Sequence, residues 1–283
     1  MKKVLKTLVN LFAVAFLAIT ALSFTACKDI KTVEVKLSVY NYETSAFEDQ
    51  TLTVDLYRHL APKTVDNVLS AIKDGYYENA LIYKFSNLSS QLMVGDLKAD
   101  GENIVKQADR DMVEGEFSHN GLNGSNLVNK KGYIGLWRTY TAVGGSYTKS
   151  DKGMNSGTAV WYMPTTSLSS YNGYFAVFAK FDTENANNAA AFSAITAIFS
   201  GSYYESYDIF YTVGENDAKT LRIIKSADLE EDDLYDEENK TYDGEEIYEA
   251  KGSDFVSLNK RTVYIPNVVS GKRAITVTSI KIK

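Results

Sequence analysis

Cysteine and histidine are almost missing from this chain, with one cysteine and two histidines in 283 residues. A single thiol makes no internal disulfide, and two histidines without a second cysteine build no Cys/His zinc cluster. Thiol redox chemistry and structural zinc are therefore excluded, and no cofactor is expected. Positive charge is also scarce. Lysine and arginine number 30 against 36 acidic residues, a net charge of −6, whereas a nucleic-acid surface needs a basic excess to displace counterions. Nucleic acid is not an expected partner. What is present, 45% hydrophobic, 12% aromatic and 23% charged residues, is the composition of a folded protein long enough for one large domain or two small ones.

Lys2, Lys3 and Lys6 precede an apolar run from Leu11 to Ala26, softened only by Thr20, Ser23 and Thr25. Its 16 residues fall short of the roughly 20 that span a bilayer as a helix, and basic residues before a short apolar core are the pattern of an export signal. The run ends in Phe24-Thr25-Ala26-Cys27, which resembles the bacterial lipoprotein box, with phenylalanine where leucine is usual. That resemblance implies a signal peptide over residues 1–26 and lipidation of Cys27 as the first mature residue. It also implies an extracytoplasmic protein, lipid-anchored to a bacterial membrane. Two acyl chains make such attachment stable where one is marginal. The alternative is an ordinary secretory signal with Cys27 incidental.

Beyond residue 26, 27 basic residues face 36 acidic ones, a net of −9. Between Asp228 and Glu249 there are twelve acids and one lysine, −11 in all. The acidity is thus a segment, read as a solvated loop rather than a property of the fold. Asp243-Gly244 invites a calcium-loop reading. An EF-hand alignment, however, puts Asn239 and Thr241 at the first ligand positions and Ala250 where the bidentate glutamate belongs, so no metal site is expected.

Val33, Val35, Leu37 and Val39 alternate with polar partners, and Leu52, Val54 and Leu56 repeat the pattern, giving two half-buried strands. Pro62 opens a helix where its missing N–H costs nothing. Val65, Leu69 and Ile72 share one face of that helix, and Gly75 follows as a C-terminal cap. Short strands are expected at 81–85, 91–96, 132–136, 159–163 and 175–180, and an alanine-rich helix at 187–199. A hairpin follows (207–213 and 220–225), with a last strand at 274–282. Many short strands and few helices indicate a mainly β, antiparallel barrel or sandwich with helices over its openings.

Three ordered blocks resemble a family. The first is Asp55-Leu56-Tyr57 with Ala61-Pro62-Lys63-Thr64-Val65, Asn67-Val68-Leu69 and Gly75-Tyr76-Tyr77. The second is Gly115-Glu116-Phe117-Ser118-His119-Asn120-Gly121, with Asn126 and Lys131-Gly132-Tyr133-Ile134-Gly135. The third is Gly157 to Met163 with Asn172-Gly173-Tyr174-Phe175-Ala176-Val177-Phe178. They are similar to the cyclophilins, the peptidyl-prolyl cis-trans isomerases. The resemblance implies a closed antiparallel eight-stranded barrel with two capping helices. It covers about 45–199 and a final strand near 272–283. Residues 27–44 then form a tether and possible extra strand, 45–283 the domain, and 200–271 an insertion before the last strand that holds the acidic run 228–249.

Rotation about a peptide C–N bond faces a barrier of roughly 18–20 kcal/mol, so X-Pro bonds take tens to hundreds of seconds to isomerise. Cyclophilins are understood to favour the twisted bond with an apolar proline pocket, an arginine near the prolyl nitrogen and a glutamine that orients the chain. By resemblance the arginine becomes Lys84, which keeps the charge but loses the planar fork. Counting back from Asp96 puts Met93 at the glutamine, while counting from Lys84 brings Gln91 nearer; both counts stand. The pocket residues become Trp137, Trp161, Tyr171 and Phe175, with Ser170 where tryptophan or tyrosine is usual. Trp161 and Phe175 fit a core position equally well, and Lys84 a surface one. His59 and His119 have no partner arrangement that suggests a hydrolase.

Two functions follow. One is an isomerase assisting the folding of exported proteins at the membrane surface, with proline-containing polypeptide segments and, through lipidated Cys27, the membrane as partners. The other is a catalytically degenerate, cyclophilin-like lipoprotein that binds peptide or protein.

Overall fold

The computed structural model describes residues 29–283 except 89, 123–126, 140–141, 144–145, 148–152, 214–218 and 230–260. The expected signal peptide over residues 1–26, the expected lipidation site Cys27 and nearly all of the acidic run lie outside the described residues.

Alternating apolar residues build the first hairpin. β1 (Ile30–Asn41) turns Val33, Val35, Leu37 and Val39 inward, and β2 (Ala46–Tyr57) turns Leu52, Val54 and Leu56 the same way. Then come α1 (Pro62–Lys73), β3 (Ala80–Phe85), β4 (Gln91–Asp100), β5 (Asn103–Lys106) and β6 (Tyr133–Leu136), with the short pair β7 (Ala142–Val143) and β8 (Ser146–Tyr147) after them. β9 (Trp161–Pro164), β10 (Val177–Lys180) and α2 (Ala186–Ser200) follow. The C-terminal part holds β11 (Tyr204–Val213), β12 (Lys219–Lys225), β13 (Arg261–Pro266), the short pair β14 (Val268–Val269) and β15 (Lys272–Arg273), and β16 (Ile275–Ile282).

Strands β3-β16-β1-β2-β10-β6-β9-β4 run antiparallel, and a β3–β4 pairing closes them into an eight-stranded barrel. β1, over the residues expected as a tether and possible extra strand, is a full wall strand between β2 and β16. It belongs there because its valines complete the interior. Two helices pack against that apolar interior. α1 has no side-chain cap of its own at Ala61. The Glu116 carboxylate instead accepts from the Lys63 and Thr64 N–H groups at 3.0 and 2.8 Å, satisfying donors that a helix start leaves open. α2 is capped by Asn185 and tied to β2 by Asn188, which accepts from Thr53 N–H at 2.8 Å.

The residues after α2 form a three-stranded antiparallel sheet, β12-β11-β13. β13 pairs with the last residues of β3, Val263 with Phe85 and Tyr264 with Lys84, beyond the point where β16 pairs at Leu81. Tyr207, Ile209, Ile223, Val263 and Ile265 of this sheet share an apolar layer with Leu81, Tyr83, Phe85, Leu97, Ala99 and Ile104 of β3 to β5. By strand alternation this layer lies on the outside of the barrel wall. Each such side chain taken fully from water stabilises by about 1.5–3 kcal/mol, which fixes this three-stranded sheet on the wall. Arg273 stitches the two together, donating to the carbonyls of Pro266 and Glu102 and to the Tyr207 hydroxyl.

Candidate functional site on the outer barrel wall

Period-two alternation decides which side chains reach the outer wall. On β3, Leu81, Tyr83 and Phe85 point outward and Ala80 and Ile82 inward; on β4, Met93 and Leu97 point outward and Leu92 and Val94 inward. On β9, Tyr162 points outward while Trp161 and Met163 point inward. The outward aromatics meet. The Trp137 ring lies 5.7 Å from both Phe85 and Phe175, and Tyr171 stacks on Phe175 at 4.4 Å. Tyr162 stands edge-on to Phe175 at 5.6 Å and to Trp137 at 6.1 Å. Tyr162 can lie across β6 because its neighbour there is Gly135, where an added Cβ would come within 2.4 Å of the phenol ring. Its hydroxyl donates to Asn129, whose amide donates to Asn172 at 3.0 Å, which pins the 169–171 turn beneath Tyr171.

Trp137 is half-buried, whereas Phe85, Met93, Tyr162, Tyr171 and Phe175 are buried. The indole therefore packs between Phe85 and Phe175 and fills the slot they would otherwise leave on the wall. Arg138, which sequence reading did not single out, stands behind this wall with its guanidinium 4.9 Å from the Phe175 ring, donating to the carbonyls of Tyr174 and Thr139.

The structure brings together Met93, Trp137, Tyr171 and Phe175 on this wall and separates two other residues from it. Lys84 falls in phase with Ile82, and its ammonium lies 5.4 Å over the Phe199 ring of α2. Desolvation there holds its pKa below the ordinary value. Trp161 points into the barrel, edge-on to Tyr77 at 6.1 Å. Lys84 and Trp161 thus fall in the inner phase of β3 and β9, the surface and core readings that their sequence positions also allowed. Tyr83 and Tyr162 take the outward positions instead. The runs Leu81-Tyr83-Phe85 and Val160-Tyr162, read for phase, carry that signal. Ser170 is exposed beside the wall.

Across the β3–β4 ladder Tyr83 stands opposite Met93. The Tyr83 hydroxyl donates to the Asp96 carboxylate at 2.7 Å. Desolvation pushes the phenol well above its ordinary value, with the Asp96 charge adding to it. Burial likewise raises the Asp96 carboxyl, against the pull of the Tyr83 hydroxyl and the charges of Arg261 and Lys106. The same register continued two residues past that pair sets Phe85 against Gln91. Gln91 is 1% exposed, and neither its amide nitrogen nor its oxygen has a hydrogen-bond partner. His59 is exposed, while His119 is half-buried with its ring 4.5 Å from Tyr174. Among the described residues no group of three His, Cys, Asp or Glu side chains lies close enough to hold a metal ion.

No curated protein matches the chain. Among solved structures it is similar to a Cryptosporidium parvum cyclophilin type peptidyl-prolyl cis-trans isomerase, at 15% identity and a TM-score of 0.39, over 69% of this chain and 94% of that one. The crystal structure of the same isomerase in the presence of the dipeptide Ala-Pro gives 16% identity and a TM-score of 0.33, over 67% and 95%. The family model described as cyclophilin type peptidyl-prolyl cis-trans isomerase matches residues 40–194, more than half of the chain and the part that carries β2 to β10 and most of α2. The chain belongs to the cyclophilin-type peptidyl-prolyl cis-trans isomerase family.

Proposed function

We propose that this protein is a slow peptidyl-prolyl cis-trans isomerase that acts on proline-containing segments of exported polypeptides at a bacterial membrane surface. The observation that carries this reading is the outer-wall aromatic cluster in which Trp137 fills the slot between Phe85 and Phe175, built in a chain of this family. A proline ring has no N–H to satisfy and packs against aromatic faces, so it fits this slot once the Trp137 indole swings aside. Holding the ring while the preceding carbonyl turns favours the twisted bond over either planar one, which is catalysis by differential binding. Turnover is slow because β3 offers no cation there: Tyr83 is bound to Asp96 and Lys84 lies over Phe199.

Lipidated Cys27 would hold the barrel at the membrane. Three residues from Cys27 to Ile30 reach at most about 10 Å, against a headgroup zone of roughly 5–7 Å per leaflet. The end of the barrel where β1 begins, with exposed Ile30 and, on the neighbouring strand, exposed Ile282, would then meet the headgroups. A second reading, a binding protein without catalysis, is favoured by the Tyr83–Met93 pair, which leaves no donor at that point of the wall.

The test is the rate of X-Pro isomerisation by the full chain in detergent, across several residues before proline, beside titration of the same peptides. Slow acceleration supports the isomerase. Binding without acceleration leaves the second reading, and neither effect overturns both. Release of the protein from membranes by Cys27→Ser tests the anchor separately.

A further inference from the structure

The barrel's own strands present aromatic rings but no cation to the slot. The insertion does. β13 adds to the end of β3, and alternation along it puts Arg261 on the same face as Val263 and Ile265, which sit in the apolar layer with Phe85, Met93, Tyr162 and Phe175. The Arg261 guanidinium lies 5.9 Å from the centre of the Phe85 ring, the ring that forms one side of the slot. Arg261 itself is only half-buried. Its charge acts on Tyr83 and Asp96, yet among the described residues it makes no hydrogen bond and no ion pair. Five N–H donors in a fixed fork therefore stand unused over an aromatic face.

Gln91 supplies an independent sign that a polar ligand comes here. Its buried amide has both atoms unpartnered, which leaves their desolvation uncompensated, and the β3–β4 register, continued two residues past Tyr83–Met93, sets it against Phe85. An aromatic slot flanked by a guanidinium and an amide that have no hydrogen-bond partner among the described residues fits a polypeptide segment. The proline ring enters between the rings, and the main chain on either side meets the donors.

We propose that the insertion completes this site, and that Arg261 is the group that donates a hydrogen bond to the bound X-Pro segment as its C–N bond twists. No covalent step is involved. As conjugation is lost, the prolyl nitrogen gains a lone pair and the carbonyl turns, and a donor near them binds the twisted form more strongly than either planar form. Arginine keeps its charge where partial desolvation lowers that of a lysine. The barrel and the inserted sheet then form one catalytic unit, which rests on the isomerase reading above.

The experiment compares the full chain with Arg261→Ala, Arg261→Gln and Arg261→Lys in isomerisation of an Ala-Pro-containing peptide. A charged hydrogen bond confined to the twisted state predicts a loss of roughly ten- to a hundredfold in kcat for Arg261→Ala and Arg261→Gln, with KM within threefold and the urea midpoint unchanged. Arg261→Lys recovers part of the loss. Activity unchanged in all three variants overturns the proposal. So does a loss that follows the urea midpoint, or one confined to KM. If the wild type binds the peptide but does not turn it over, the isomerase reading fails and titration decides the assignment of Arg261 as a ligand contact. Affinity about tenfold weaker in Arg261→Gln upholds that contact, and equal affinity overturns it.

Discussion

Tyr83 stands opposite Met93 on the wall where a catalytic donor would be useful, and its hydroxyl is held by Asp96 at 2.7 Å. The geometry makes this pair a clasp under the β12-β11-β13 sheet rather than a catalytic group. Tyr83→Phe removes only the hydroxyl and leaves the ring 5.6 Å from Phe85. A hydrogen bond to a charged partner contributes about 1.5–3 kcal/mol, and one between neutral groups about 0.5–1.5 kcal/mol. The variant is therefore expected to lose about 1.5–3 kcal/mol near neutral pH, or roughly 3–12 °C in Tm for a domain of this size. In an Asp96→Asn background the same substitution costs only about 0.5–1.5 kcal/mol, because the acceptor is then neutral. The pH sign follows from burial, which raises the folded-state pKa of Asp96 above its ordinary 3.8. The folded state then binds the Asp96 proton more tightly than the unfolded state. Its contribution is fully present below pH 3.8 and is lost as pH rises through the raised folded value. Asp96→Asn flattens that slope. Urea unfolding followed by tryptophan fluorescence, as a four-variant cycle from pH 7 downward, measures all of this. A cost below about 0.5 kcal/mol at pH 7, or a fall in isomerase kcat at unchanged stability, would sink the clasp and make Tyr83 a substrate-contacting group.

Lys84 lies over Phe199 rather than on the wall, so Lys84→Ala is expected to leave kcat/KM within about twofold, below 0.5 kcal/mol in the barrier; a tenfold loss in the same isomerisation assay contradicts this placement. Trp137→Ala uncovers the slot between Phe85 and Phe175. It should tighten binding of an Ala-Pro peptide in calorimetric titration while costing about 1–3 kcal/mol of stability, less than a fully buried tryptophan because the indole is half-exposed; weaker binding shows instead that the indole is a contact. Glu116→Ala removes the carboxylate that accepts from Lys63 and Thr64 and should lower stability by about 1–2 kcal/mol, as loss of a helix cap does. Amide exchange then rises first in α1, and exchange unchanged there shows that water replaces the cap.

The sequence by itself determined the strands, because apolar residues at every second position of 33–39 and 52–56 bury as strands and in no other regular way. It also determined both helices, through Pro62 at the first and the alanine-rich stretch 187–199 at the second, and the family, through ordered motifs that include Glu116, which caps α1. Only the tertiary structure decided the site. The phase of β3 and of β9 depends on where each strand joins its neighbours, and that pairing puts Lys84 and Trp161 on the inner side and Tyr83 and Tyr162 on the outer. β1 became a wall strand because β16, more than 230 residues later, pairs with it. Arg261 and Phe85 are 176 positions apart in the chain, and no local spacing relates them. They meet because β13 can hydrogen-bond to the free end of β3, a long-range pairing set by which edge is open in the folded barrel.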